Sequence, residues 1–191
     1  MRLFIAVDPG EPAAARIAEM ISTLRTSYPD AKWAGSEKPH LTMAFLGEVT
    51  EERVPAVREA MAEAAAGCAA FRLAPGGAGA FPSWPRARVV WLGVREGAPE
   101  LSRLAGRLHA ALKARGFSLE EREFHPHLTL ARAGQGGRGL ARARADAERL
   151  ADAPGWAGCA GEVSSLELLK STLSPGGARH ESVHRQEFAR A

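Results

Sequence analysis

Hydrophobic positions along the chain fall into two superposable series. The first opens with an unbroken apolar run of strand length, Leu3-Phe4-Ile5-Ala6-Val7, closed by Asp8-Pro9-Gly10. Beyond Pro12, Ala14, Ile17, Ala18 and Ile21 recur at i, i+3, i+4 and i+7, the stripe of an amphipathic helix. At a constant offset of 87 residues the same order returns. Val90-Trp91-Leu92-Gly93-Val94 repeats the strand, Pro99 repeats Pro12, and Leu101, Leu104, Ala105 and Leu108 repeat the stripe. His40-Leu41-Thr42 then falls on His127-Leu128-Thr129, and a helical stretch over 50–66 falls on a second at about 138–151. Further strands are expected at 71–74, 162–169 and 181–188, with turns in the Gly/Pro clusters at 75–82, 133–139 and 174–177.

A chain-long repeat of this kind predicts an α+β fold from an internal duplication, with repeat halves of approximately 1–86 and 87–191. The expected architecture is two pseudo-symmetric lobes, each an antiparallel sheet backed by helices, around a central cleft. The whole chain, 1–191, is read as one domain. Equivalent residues should meet near the pseudo-twofold axis.

Composition excludes several classes. With 191 residues, 46% hydrophobic and 25% charged, the chain is neither disordered, fibrous nor a coiled coil. No apolar run approaches the roughly 20 residues of a membrane span, and MRLFIAVDPGEP turns polar too early for a secretory signal. Cys68 and Cys159 are too isolated for a disulfide framework, so a cytoplasmic location is expected. The chain is also expected to be a monomer. Net charge is only +3, yet the cations are 21 Arg against 4 Lys. Arginine's planar fork matches phosphate, although a GC-rich coding sequence explains the bias equally well.

The repeated His-x-Thr carries the chemistry. Period-two alternation puts His40, Thr42 and Ala44 on one face of a strand and Leu41, Met43 and Phe45 toward a core. In the second copy His127, Thr129 and Ala131 oppose Leu128 and Leu130. One such motif arises by chance in roughly one chain in five at this composition; two at the repeat offset, both in apolar strands, do not. An imidazole titrates near neutrality, so one of a facing pair can take a proton while the other gives one. Two hydroxyls on rigid strands can hold oxygens that gain charge. A phosphodiester fits that constellation.

At these residues the chain resembles the 2H phosphoesterases, most closely the RNA 2′,3′-cyclic phosphodiesterase branch, also described as 2′-5′ RNA ligases. The resemblance rests on His40-Leu41-Thr42-Met43-Ala44-Phe45-Leu46-Gly47 and Pro126-His127-Leu128-Thr129-Leu130-Ala131-Arg132. Arg2-Leu3-Phe4-Ile5-Ala6-Val7, Gly79-Ala80-Phe81-Pro82, residues 88–94 and the tail at 171–177 extend it over nearly the whole chain. It implies hydrolysis of RNA or nucleotide 2′,3′-cyclic phosphates to 2′-phosphomonoesters without metal or cofactor. It implies His40 as proton donor, His127 as proton acceptor, and Thr42, Thr129 and Arg132 as phosphate ligands. The same site would exchange 2′-5′ linkages with an RNA 5′-hydroxyl. His180 stands where the family pattern implies a tyrosine.

Other signals compete. Strict alternation turns Arg132 away from His127 unless a bulge intervenes. His125 and His127 form an HxH that would need a third ligand to hold zinc. Residues 134–139 contain GxGxxG but lack the parallel-strand context of a dinucleotide site. Arg138, Arg142 and Arg144 could form a phosphate rail or a solvated helix face. Phe81 and Trp84 suit loop anchoring or base stacking, and Trp33, Trp91 and Trp156 suit packing. The rival functions are a non-catalytic RNA-binding module, a metal hydrolase, a dinucleotide-binding enzyme, and a 2H enzyme for another 2′-5′ or cyclic phosphodiester.

Overall fold

The computed structural model describes residues 1–35, 39–134, 140–174 and 177–189. In chain order they form β1 (Arg2–Val7), α1 (Glu11–Ser27), β2 (Lys32–Trp33), β3 (Leu41–Glu48), α2 (Val54–Ala65), β4 (Phe71–Phe81), β5 (Val89–Glu96), α3 (Ala98–Ala114), β6 (Leu128–Arg132), α4 (Arg144–Ala151), β7 (Gly161–Val163), β8 (Ser165–Ser174) and β9 (Gly177–Glu187). The duplication is literal in the backbone. Helices α1 and α3 begin and end 87 residues apart, and a short 3₁₀ helix leads into each of α2 and α4. Gly10 and Gly97, one residue before α1 and α3, have φ of 88° and 90°, a conformation open to a residue without Cβ.

All the described strand pairs are antiparallel, along the path β7-β4-β5-β6-β3-β1-β8-β9, with β2 added to β6. The halves exchange elements. β4 of the first half pairs with β5 of the second, and β8 of the second pairs with β1 of the first. The helices follow, α1 against α4 and α2 against α3. The two sides of the sheet are therefore not the two halves of the sequence. They join where β3 meets β6, through Leu41 and Leu128. Those residues are themselves 87 apart, so the pseudo-twofold axis passes between them.

One face of the sheet carries the helices and the main core, including Leu3, Ile5, Val7, Leu41, Leu128, Leu104 and Leu108, all at most 1% exposed. On β1 the alternate residues Phe4 and Ala6 join Leu169 in a separate buried cluster. Helix α3 buries the residues its stripe predicts. Helix α1 instead buries Ala13, Ile17, Met20, Ile21 and Leu24, leaving Ala18 exposed. Small alanines constrain the rotation weakly, so Met20 and Leu24 decide it.

The expected turn at 75–82 is mostly the second half of β4. Register shifts at Ala74/Pro75 and Pro75/Ala78 accommodate the proline, since a bulged position needs no ladder N–H. The 162–169 strand is divided between β7 and β8, which pair with β4 and β1 respectively. Of the other two Gly/Pro clusters, 135–139 and 175–176 lie outside the described residues. No described helix is long and apolar enough to cross a membrane, and both cysteines are free.

Candidate active site

His40 and His127 sit immediately before β3 and β6. Among the described residues the one pair between β3 and β6 is Leu41–Leu128; the same antiparallel register, continued by one residue each way, would set Thr42 across from His127 and His40 across from Thr129. The four side chains share the face opposite the two leucines. Directly opposed residues have Cβ atoms about 4.5–5.5 Å apart and diagonal ones about 7–8 Å. The two imidazoles therefore occupy one diagonal of a small square and the two hydroxyls the other.

Beyond each threonine the strand is bulged. β1 pairs Ile5 with Ala44 but Ala6 with Thr42, so Met43 is skipped. β5 pairs Val90 with Ala131 but Trp91 with Thr129, so Leu130 is skipped. The skipped residues are equivalent in the repeat, and their carbonyls are held from outside the pairs. Met43 O bonds His109 Nε2 of α3 at 2.8 Å, and Leu130 O accepts from Ala34 N at 2.8 Å. A bulge reverses the alternation after it. Ala44 and Ala131, expected beside the polar pairs, face the core instead. Phe45, expected in the core, is 51% exposed, with its ring 5.8 Å from Phe4. Its repeat counterpart is Arg132, carried by the same device onto the side of His127 and Thr129.

The surroundings of the two histidines differ. The Phe4 ring lies 5.1 Å from His40, and His180 meets His40 edge-on at 5.0 Å and 90°. His127 has Phe81 edge-on at 5.1 Å and Trp91 at 6.1 Å. Its Nδ1 lies 2.6 Å from the carbonyl of His125, which can only accept, so Nδ1 carries the proton and Nε2 is left basic. Burial holds this imidazole below its ordinary value. The bond to His125 opposes that, and the charges of Arg132 and His125 reinforce it. His127 is thus suited to be neutral near pH 7.

The model of the 2′-5′ RNA ligase superfamily matches residues 9–172. This chain belongs to that superfamily. An RNA 2′,3′-cyclic phosphodiesterase of Aeropyrum pernix is 34% identical over 174 residues, 91% of this chain and 96% of the relative. A solved protein of Thermus thermophilus superposes with a TM-score of 0.76 at 28% identity, over 98% of both chains. Escherichia coli LigT complexed with 3′-AMP gives 0.71 at 28% identity, over 98% of this chain and 97% of that one.

Within this superfamily member, sequence reasoning passes over three residues near the histidines. In the sequence His180 is only a departure from a pattern, and Phe4 and Trp91 are only apolar. Phe4 and Trp91 are repeat equivalents in β1 and β5. The buried run Leu3, Ile5, Val7 leaves Phe4 on the histidines' side, which is the signal that could have found it. Trp91 pairs with Thr129 and its ring leans over Gly79, where a Cβ would come within 2.2 Å of Cζ2. Among the described residues its Nε1 is a buried donor with no acceptor. Phe81 packs on Trp91 at 5.3 Å and on His127, as an anchor. Trp33 and Trp156 donate to the carbonyls of Tyr28 and Leu150, as packing residues do.

Arg144 bonds Glu148 at 2.9 Å, and Arg138 lies outside the described residues, as does most of the GxGxxG segment. Among the described residues no three His, Cys, Asp or Glu side chains are grouped to hold a metal ion.

Proposed function

We propose that the chain hydrolyses 2′,3′-cyclic phosphates of RNA ends and nucleotides to 2′-phosphomonoesters, by acid–base catalysis between His127 and His40. The reading rests above all on the square of His40, Thr42, His127 and Thr129 about the Leu41–Leu128 pair. Relatives that bear the name RNA 2′,3′-cyclic phosphodiesterase, and the nucleotide complex of LigT, supply the substrate class.

His127 Nε2 takes a proton from water, and the water oxygen forms a bond to phosphorus. The bond from phosphorus to the 3′ oxygen breaks on the opposite side. His40 gives a proton to that departing oxygen, leaving the phosphate on the 2′ oxygen. Thr42 and Thr129 donate hydrogen bonds to the non-bridging oxygens as charge accumulates there. Arg132, on the same face, adds a fixed positive charge. With an RNA 5′-hydroxyl in place of water the same transfers create a 2′-5′ linkage. The lowered affinity of His127 for protons suits it to the base's part.

The test is turnover of a 2′,3′-cyclic mononucleotide in EDTA, with 2′- and 3′-phosphate products resolved, for wild type, His40→Ala and His127→Ala. Release of the 2′ product, with kcat reduced about 10²–10⁴-fold by either substitution, is expected. Undiminished turnover in either variant, or a 3′ product, refutes the assignment. A chain that binds cyclic-ended RNA without turnover is a binding module.

A further inference from the structure

Next to the square, an open cavity of about 750 Å³ is lined by Pro82, Arg86, Arg88, Arg132, Ala133 and Gly134 among others. Its wall is fixed by main-chain bonds. Arg88 N donates to Phe81 O at 2.8 Å, Ala133 N to Arg88 O at 2.8 Å, and Ala87 N to Trp84 O at 3.2 Å. Phe81, which packs on His127, immediately precedes Pro82. Arg132 follows Thr129 by three residues of one strand, roughly 10 Å of chain. The cavity therefore continues the site rather than opening elsewhere on the surface.

Its charge is one-sided. Among the described residues no carboxylate lines it. Arg72, Arg115, Arg144, Arg149 and Arg185 each lie against an acidic side chain. Arg86, Arg88 and Arg132 converge on one space and have no ion pair among the described residues. Three guanidiniums around an open, pre-shaped hollow form a receptor for phosphate oxygens.

We infer that this hollow holds the phosphodiester on the 5′ side of the terminal, cyclic-phosphate-bearing nucleotide, so that an RNA end is preferred over a free mononucleotide. This rests on the proposed phosphodiesterase reading and adds a second phosphate subsite to it. Arg86 and Arg88 touch no reacting atom; they bind the chain leading to the scissile phosphate. Their contribution appears in KM for oligomers and not in kcat.

The experiment compares a 2′,3′-cyclic mononucleotide with a dinucleotide bearing the same cyclic end, for wild type and the double variant R86Q/R88Q. Wild type should show a KM lower by about tenfold or more for the dinucleotide. The double variant should lose that advantage and keep wild-type kcat and KM on the mononucleotide. The dependence of log KM on log salt should flatten by about 0.7, the effect of one phosphate that is no longer neutralised. Equal KM for both substrates in wild type, or an advantage that survives in R86Q/R88Q, overturns the subsite. If neither substrate is turned over, it is the phosphodiesterase reading that fails. Titration with a dinucleotide ending in a 2′-phosphate then reads the subsite directly. Tighter binding by wild type than by R86Q/R88Q supports it, and equal binding overturns it.

Discussion

His109 lies on α3, outside the square, yet it should matter to turnover. Its Nε2 bonds the carbonyl of Met43, the residue skipped between β1 and β3. Met43 is 1% exposed, so an acceptor left without that donor has no water to turn to. Replacing His109 by Leu should cost about 1–3 kcal/mol for the unmet buried acceptor. In a domain of this size that is a fall in Tm of roughly 2–12 °C. The second effect is geometric. The bulge decides which face Phe45 takes and adjoins Thr42 directly, and displacing a positioning group by about 1 Å can cost 10²-fold in rate. The assay is kcat on a cyclic mononucleotide well below the melting transition, beside two controls. His109→Gln keeps an N–H donor and should recover most of the rate. Leu108→Ala, in the core one residue away at 0% exposure, should cost about 2–5 kcal/mol of stability and leave kcat nearly unchanged. Wild-type kcat in His109→Leu, or a Gln variant as slow as the Leu variant, would show that the bulge needs no such strut.

Two other perturbations follow. Gly79→Ala places a Cβ about 2.2 Å from the Trp91 ring, an overlap that should cost about 1–3 kcal/mol and push Trp91 toward His127. In a Trp91→Leu background that cost should largely vanish, and an unchanged cost by chemical denaturation would mean the clash is not its source. The lowered pKa of His127 sets the acidic limb of the rate profile. The folded state binds fewer protons than the unfolded one, so the stability His127 contributes is full above about pH 6.5. It declines as pH falls through the folded pKa, and the base is protonated over the same range. Arg132→Met removes one of the charges holding that pKa down. The acidic limb of kcat/KM should therefore move to higher pH; a shift the other way contradicts the sign.

What the sequence makes legible follows the strength of each pattern. The offset of 87 is visible because strands, prolines and motifs all repeat, and α1 and α3 obey it to the residue. The facing His-x-Thr pairs follow from the duplication. The bulges are hidden. Met43-Ala44 and Leu130-Ala131 are apolar pairs, so a reversal of alternation between them leaves no mark in the hydrophobic pattern. That one omission misplaces both Phe45 and Arg132. β4 reads as too short because Pro75 and its glycines signal a turn locally, whereas the strand is imposed by β5 and β7 on either side. The contact of His180 with His40 joins β9 to the start of β3, and no local spacing encodes that.

The position of Leu41 and Leu128 on the axis also bears on descent. A half-chain pairing with a copy of itself through this one residue would generate the whole square, with two interchangeable histidines. The bulge stands at matching places in both copies, as it would if each had received it from one ancestral half. An ancestor of that kind could not tell its acid from its base. The two copies have since diverged, with phenylalanine at 45 against arginine at 132, and Trp91 beside His127 where Phe4 stands beside His40. Divergence between twins, rather than any added part, would give such a site its polarity.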